Sequence, residues 1–372
     1  MINKTQFFIL FTLAVVSQIM ETVCLPMLPS ISADLLVSRS IIQMSVPILL
    51  LGTSFSYLFS GYIADTRSPK FALSVLTLLY MLGVITSMLA SHITLFFVGM
   101  FLQGLGSSYA IIILQVKSSY KANPVRVVSL VYTLAVIFQP LSTYFAGLTS
   151  HQWGWRYVYL ALSLYSAFVF IGTLKLSPRL TLSTQYSLAS YYSMLRSITK
   201  DRYFWSNFLT CSLIMSSVYI FYVLSPYIFM HDFKLTSKAY GSLLLFVFLG
   251  ILLSFRLAGF FATRVKPCVA IKIGVYICLV GASLLLCWFE WAPSIGAILS
   301  GFFVFILGTE IVSINTRIQA LSIDLTCQGL IASFFAAMLN IFESLIGFFS
   351  YHQDGETMGG MMLLLVFTAF LI

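Results

Sequence analysis

The chain has 372 residues, of which 60% are hydrophobic and only 8% are charged, and its mean hydropathy is +0.99. A soluble domain carries about 25% charged residues, so this composition excludes a water-soluble globular protein and indicates that lipid surrounds the chain. The net charge of +9 comes from cations in short loops between apolar runs. This placement indicates a role in membrane orientation rather than in binding nucleic acid.

Twelve apolar runs of roughly 20 residues follow one another along the chain, and each is long enough to span a membrane. They lie at 6–27, 42–64, 71–90, 93–116, 127–149, 156–175, 205–228, 239–261, 269–288, 294–316, 329–349 and 357–372. We therefore predict an all-α membrane protein with about 12 transmembrane helices. Its domains would be an N-terminal six-helix half (1–178), a cytoplasmic linker (179–203) with a surface helix near 191–200, and a C-terminal six-helix half (204–372).

Lys and Arg are distributed unequally between the two sides of the predicted membrane. Fifteen lie on the side of the N-terminus and four on the opposite side. Because short cytoplasmic loops carry an excess of cations, this asymmetry predicts that both termini are cytoplasmic, in agreement with an even number of spans. The first run follows Lys4 but contains Glu21 and lacks an A-x-A site. We therefore expect a retained helix rather than a cleaved signal peptide.

The two halves share the same pattern of small residues and prolines. Gly, Ala, Pro and Ala recur with identical spacing after an apolar run in each half, and Pro26 and Pro226 each interrupt an apolar run shortly before a polar loop. The repeated sets are Gly61, Ala64, Pro69 and Ala72, and Gly259, Ala262, Pro267 and Ala270. A duplicated chain with membrane-embedded halves is typical of secondary transporters.

Three acids lie inside predicted spans, where an ionisable group is unfavourable and is therefore a functional candidate. Each has a polar residue three positions away on the same helix face, which predicts a polar stripe facing a cavity. The pairs are Gln18 with Glu21, Glu310 with Ser313, and Asn340 with Glu343. A low dielectric favours the neutral form of a carboxyl, which suits reversible protonation. The alternative for each acid is a structural hydrogen bond to a neighbouring helix.

The other polar residues predict no metal site, no cofactor and no enzyme. The 6 cysteines are scattered singly, and the 4 histidines lie in loops or at span ends without ligand spacing. The sequence has no nucleotide-binding loop, which argues against ATP-driven transport by this chain alone. Gln103 lies among small residues of the fourth span, where close helix contact is the alternative to a binding role. Arg256 and Arg317 lie near helix ends, where long cationic side chains reach the membrane surface.

Several short motifs occur in order over nearly the whole chain. They are CLPMLP (24–29), GYIADTRSPK (61–70), FLQGLG (101–106), WGWR (153–156), LSP (224–226) with YG (240–241), Asn315, and GLIAS (329–333). Together they resemble the Bcr/CflA-type drug-efflux branch of the major facilitator superfamily. The resemblance implies the major facilitator fold, with two pseudo-symmetric six-helix halves. It also implies an alternating-access secondary transporter that exports a small amphipathic molecule or drug in exchange for protons.

The resemblance also assigns roles to individual residues. Gly61, Asp65 and Lys70 match the cytoplasmic gate loop, whereas Thr66, Ser68 and Pro69 replace residues that the family has there. The alternative for Asp65 is to cap the third span. Met100 stands where the family has an Arg linked to proton coupling, and Thr22 where the branch has an Asp. The predicted substrate or proton site is Glu21, Gln18, Thr22, Gln103, Glu310, Asn315, Asn340 and Glu343.

The expected partners are the lipid bilayer, a small-molecule substrate and protons as the coupling ion, with no nucleic acid. We expect a monomer in the bacterial inner membrane. Two alternatives to export stay open: a facilitator-fold importer of a nutrient or metabolite, and a degenerate membrane sensor or assembly partner that does not transport.

Overall fold

The computed structural model describes residues 4–66, 68–107, 112, 124–176, 196, 198–262, 264–291, 294–323 and 328–350. These residues form helices and connecting turns, with no strand among them, so the predicted all-α class is confirmed. Within this described part, eight helices are long and apolar enough to cross a membrane. The chain divides into two compact units, Met1–Ser187 and Leu188–Ile372, which we call unit 1 and unit 2.

Unit 1 contains the helices of the first six predicted spans. They are α1 (Lys4–Ile19), α2 (Leu28–Asp34), α3 (Arg39–Gln43), α4 (Ser45–Thr66), α5 (Pro69–Met88), α6 (Ile93–Leu105), α7 (Pro124–Trp153) and α8 (Trp155–Leu174). Within the unit, α6 packs against both α4 and α5, while α7 packs along α1 and α8 along α5.

The first predicted span is divided rather than continuous. Helix α1 ends at Ile19, and a 3-10 turn at Leu25–Met27 leads into α2. Pro26 has no backbone N–H with which to continue an α-helical ladder. The carbonyl of Thr22 instead accepts a hydrogen bond from the N–H of Leu25 at 3.2 Å. The apolar run is therefore interrupted by a segment whose backbone departs from the regular helix.

Unit 2 contains five further long helices. They are α9 (Arg202–Tyr227), which continues into a π-helical turn at Ile228–Asp232, α10 (Ser237–Ala262), α11 (Pro267–Trp291), α12 (Ile295–Leu321) and α13 (Gln328–Ser350). They match predicted spans seven to eleven. The predicted span at 357–372 lies outside the described residues, as does most of the predicted linker helix near 191–200.

The same glycine-mediated helix contacts occur in both units. In unit 1, a Cβ added to Gly83 of α5 would lie 2.5 Å from the backbone nitrogen of Gln103 on α6. In unit 2, a Cβ on Gly281 of α11 would lie 2.5 Å from the Cα of Phe305 on α12. Gly106 against Tyr80 in unit 1 is repeated as Gly308 against Cys278 in unit 2. Small residues at these crossings let the helix backbones approach closely, which stabilises helix association in lipid.

The turn after the first span of each unit is also duplicated. Leu36 and Lys234, at equivalent positions, both have positive φ, 52° and 57°. Two residues later, the hydroxyl of Ser38 accepts a hydrogen bond from the N–H of Ile41 at 3.4 Å. The hydroxyl of Thr236 similarly accepts one from Ala239 at 3.2 Å. The repeat therefore extends from residue types to backbone conformation and helix capping.

Candidate functional site

Glu21 lies in the segment that interrupts the first span, directly after α1. Its side chain is half-buried, and its neighbours Met20, Thr22 and Val23 are buried. Among the described residues, its carboxyl makes no hydrogen bond or ion pair. Gln18, one turn earlier and also half-buried, likewise makes no side-chain hydrogen bond with a described residue. A carboxyl without a protein partner in such surroundings is available to a proton or to a ligand.

Thr22, the residue beside Glu21, has a different environment. Its side chain is buried, and its Oγ1 accepts a hydrogen bond from the hydroxyl of Thr143 on α7 at 3.1 Å. Successive residues of a helical turn point about 100° apart, so Glu21 points away from this contact. The position at which the branch has an Asp therefore takes part in packing between the first span and α7, and the acid next to it does not.

Met100 replaces the family's Arg at the centre of a neutral cluster in unit 1. The residue is completely buried on α6, and its Sδ lies 3.7 Å from the hydroxyl of Tyr159 and 3.7 Å from Nε2 of Gln103. Nε2 of Gln103 also donates to Oγ of Ser87 on α5 at 2.8 Å. The amide of Gln103 is thus used in the contact between α5 and α6.

Glu310 lies half-buried on α12 at the contact with α10. Its backbone N–H donates to Oγ of Ser254 at 3.2 Å, and that hydroxyl donates to the carbonyl of Leu307 at 3.0 Å. The charge of Arg317, two turns further along α12, acts on the Glu310 carboxyl. Glu310 therefore interacts with a cation of its own helix, whereas the carboxyl of Glu21 has no such partner among the described residues.

Arg317 also connects α12 to the other helices of unit 2. It interacts with the buried thiol of Cys211 on α9, and the charge of Glu343 on α13 also acts on that thiol. Asn315 is buried and donates its amide to the carbonyl of Ile311 in its own helix at 2.7 Å. Asn340, on α13, is buried as well. Arg317 thus acts on Glu310 and on the Cys211 thiol, and Glu343 acts on the same thiol.

The predicted gate residues are described only in part. Gly61 and Asp65 belong to α4, but the surroundings of Gly61 and the side chain of Asp65 lie outside the described part of the structure. Nζ of Lys70 donates to the carbonyl of Leu174, the last residue of α8, at 2.8 Å. The N-cap of α5 is Ser68, whose hydroxyl accepts from the N–H of Phe71 at 3.1 Å. The cap that the sequence offered as an alternative role for Asp65 is therefore supplied by Ser68.

One polar cluster of unit 1 was not predicted from the sequence. Asp34, at the end of α2, forms an ion pair with Arg156 at the start of α8. Oδ2 of Asp34 also accepts from Nε1 of Trp155 at 3.2 Å, and Arg156 donates to the carbonyl of Ala90 at 3.0 Å. We call these residues the Asp34 clamp. Two features of the sequence could have indicated this cluster. One is the WGWR motif, and the other is that Asp occurs at equivalent positions of the two halves, 34 and 232.

The helices and the repeat described above agree with the comparisons to known proteins. The profile of the Major Facilitator Superfamily matches residues 10–351. This chain belongs to the major facilitator superfamily. It is therefore an integral multi-pass membrane protein of a transporter family rather than an enzyme.

Curated relatives are similar at low identity. An uncharacterized transporter of Rickettsia felis is 24% identical over 246 residues, or 65% of this chain and 61% of the relative, so the chain covers less than two thirds of that protein. Multidrug resistance protein D of Escherichia coli is 24% identical over 163 residues (43% and 41%). Chloramphenicol resistance protein CraA of Acinetobacter baumannii is 23% identical over 270 residues (72% and 65%). The names of the latter two relatives agree with the predicted drug-efflux branch.

Solved structures confirm the fold. The nucleoside transporter NupG superposes with a TM-score of 0.78 at 13% identity, covering 98% of this chain and 99% of that one. A D-xylose-proton symporter superposes with a TM-score of 0.74 at 12% identity, covering 98% and 97%. The predicted major facilitator fold is therefore confirmed.

Proposed function

We propose that this protein is a proton-coupled secondary transporter that exports a small amphipathic molecule by alternating access. The observation that carries the proposal is Glu21, a carboxyl within the first predicted span without a protein partner among the described residues. It lies beside the Pro26 interruption, where the helical hydrogen-bond ladder is broken. Irregular backbone in a transporter helix is tolerated where it lines a cavity.

The proposed cycle uses the two states of this carboxyl. In the ionised state Glu21 attracts a positively charged or hydrogen-bond-donating substrate group. When a proton arrives from the outer side, the carboxyl becomes neutral and that attraction is lost. Because an ionised carboxyl is unfavourable in an apolar span, occupancy by either a proton or a substrate is favoured over an empty site. Because a proton and a substrate do not occupy the carboxyl together, the entry of a proton is coupled to the release of substrate.

The second proposed acidic site is in unit 2. The charge of Arg317 acts on the Glu310 carboxyl, so the charge of that acid is already balanced in part by the protein. We therefore assign the primary coupling role to Glu21 and a secondary one to Glu310. Asn315 and Gln103 are engaged in hydrogen bonds within unit 2 and unit 1, respectively. We propose that they support the helices rather than contact substrate.

The direction of transport is proposed from the drug-resistance relatives. The similarity to nucleoside and xylose transporters supports the fold alone, since its identity is only 12–13%. The proposal includes an inner-membrane location with cytoplasmic termini, which rests on the cation asymmetry. It also includes a monomeric state, six-helix halves at 1–178 and 204–372, and a gate at Gly61, Asp65 and Lys70.

Proteoliposome flux under an imposed pH gradient tests this function. Vesicles are loaded at acid or neutral pH, diluted into the other buffer, and offered labelled chloramphenicol and an aromatic cation such as ethidium. An exporter that exchanges protons for substrate accumulates substrate when the interior is acid, and a protonophore abolishes the accumulation. Accumulation only when the exterior is acid would instead favour import with protons. Binding without accumulation under either gradient would contradict transport, with protein-free vesicles as the control.

A further inference from the structure

Four exposed cations lie in the turn between α10 and α11 and in the adjoining ends of the two helices. They are Arg256, Arg264, Lys266 and Lys272, which we call the α10–α11 basic patch. The sequence has no Asp or Glu between positions 256 and 272. Within the described part of the chain, none of these four side chains forms an ion pair or a side-chain hydrogen bond. Among the residues that the structure describes, no acidic side chain therefore neutralises this positive surface.

The patch lies at the membrane edge of unit 2. Its turn connects two helices of membrane-spanning length and hydropathy, Ser237–Phe261 and Pro267–Trp288. Phe260 and Val269 beside it are 49% and 45% exposed, as expected for side chains in contact with lipid. The guanidinium of Arg264 lies 3.8 Å over the ring of Phe260. This contact holds a cation next to an exposed apolar residue just beyond the end of a predicted span, where phospholipid headgroups are expected.

The duplication shows that the fold does not require these cations. The equivalent positions of unit 1, 198 residues earlier, are Leu58, Thr66, Ser68 and Ser74. At the position equivalent to Asp65 of unit 1, unit 2 has Thr263. Unit 1 has two other cations in its turn, and one of them, Lys70, already donates to Leu174. The same helix-turn-helix element is thus formed without the four cations of the patch.

Membrane orientation does not require them either. Three of the four are among the fifteen cations counted on the predicted cytoplasmic side, and without them that side would still hold 12 against four on the opposite side. The local concentration of positive charge in unit 2 therefore favours the binding of an anionic group from the region of the lipid headgroups. Guanidinium and ammonium groups both bind phosphate oxygens, and an anionic lipid is attracted by about 1 kcal/mol, or roughly fivefold in affinity, per nearby cation.

We propose that the α10–α11 basic patch binds the phosphate headgroup of an anionic phospholipid. Native mass spectrometry of the purified full chain measures this directly. The protein is titrated with phosphatidylglycerol or with phosphatidylcholine, and the retained lipid is counted. We expect wild type to retain phosphatidylglycerol preferentially. Replacing the four cations of the patch by Gln should lower that preference at least about tenfold.

A matched control variant removes the same number and type of charges elsewhere. It carries Gln at two exposed arginines and two exposed lysines around the central segment, Lys175, Arg196, Lys200 and Arg202. This variant should keep the wild-type preference. An equal loss in both variants, or no preference in wild type, would overturn the proposal. If the patch variant fails to fold, the conservative variant Arg256→Lys with Arg264→Lys should retain the preference, and its loss counts against the proposal.

A third arm distinguishes a lipid from a soluble phosphate. Glycerol 3-phosphate is added at the same phosphate concentration as phosphatidylglycerol. Because the adjoining Phe260 and Val269 favour a ligand with acyl chains, the soluble compound should leave lipid retention unchanged. Displacement of the lipid by glycerol 3-phosphate would show an anion site without lipid specificity and would contradict the assignment.

Discussion

Substitution of Gly83 by Ala tests the close helix contact that both units share. A Cβ at this position would lie 2.5 Å from the backbone nitrogen of Gln103 and 2.7 Å from the carbonyl oxygen of Gly99. Both obstacles are backbone atoms, so no side-chain rotation can relieve the overlap. Helices α5 and α6 would have to separate by about 1 Å to reach an ordinary carbon contact of about 3.5 Å. The hydrogen bond between Gln103 and Ser87 crosses this interface and would lengthen as well.

The expected loss of stability follows from two opposing terms. Overpacking a close contact is destabilising by about 1–3 kcal/mol, and a backbone obstacle places Gly83→Ala at the upper end. Ala is favoured over Gly within a helix by about 1 kcal/mol, which offsets part of that loss. A net destabilisation of about 2 kcal/mol remains. For a unit of this size it corresponds to a fall in Tm of about 4–8 °C.

The assay is thermal denaturation in detergent, followed by size-exclusion chromatography of the fraction that stays monodisperse. Gly259→Ala is the matched control, because a Cβ there meets nothing within 4 Å. The control should show an unchanged or slightly raised Tm, since only the helix-propensity term applies. If Gly83→Ala is as stable as Gly259→Ala, then the close approach of α5 and α6 is not a source of stability.

Three further substitutions test other parts of the structure. Asp34→Asn removes the ion pair with the half-exposed Arg156 and should lower stability by only about 0.5–1 kcal/mol, measured by the same thermal assay at low and high salt. Met100→Arg places an unpaired cation in a fully buried neutral cluster and should prevent accumulation of folded protein, judged by fluorescence-detected chromatography against Met100→Leu. Gln103→Ala should destabilise by about 1–2 kcal/mol while leaving the KM for substrate unchanged; a raised KM with normal stability would contradict its packing role.

Much of the fold was predictable because lipid imposes simple rules on a sequence. Backbone groups must be satisfied within each span, so a run of apolar residues predicts a helix with little ambiguity. The spacing of Gly61 and Gly259 predicted the duplication, which the structure extends to the contacts of Gly83 and Gly281. The sequence did not show that the first span stops at Ile19, since the residues between Ile19 and Pro26 have no common helix-terminating signal.

The site was less predictable because it depends on contacts between distant residues. Glu21 and Thr22 are adjacent, and sequence alone leaves open which of them faces a neighbouring helix. The contact between Thr22 and Thr143 joins residues 121 positions apart. The Asp34 clamp joins residues 122 positions apart. Helical periodicity identifies a face, but it gives no information about which element covers that face.

Coupling through Glu21 is tested by comparing wild type with Glu21→Gln in proteoliposomes, measuring pH-driven accumulation and substrate exchange without a gradient. We expect Glu21→Gln to lose accumulation, because the neutral amide cannot take up and release a proton, but to keep exchange between equal pools. Thr22→Val serves as the neighbouring control and should keep pH-driven accumulation, since it changes only the contact with Thr143. If Glu21→Gln accumulates substrate as wild type does, with an unaltered dependence on pH, Glu21 is not the coupling acid.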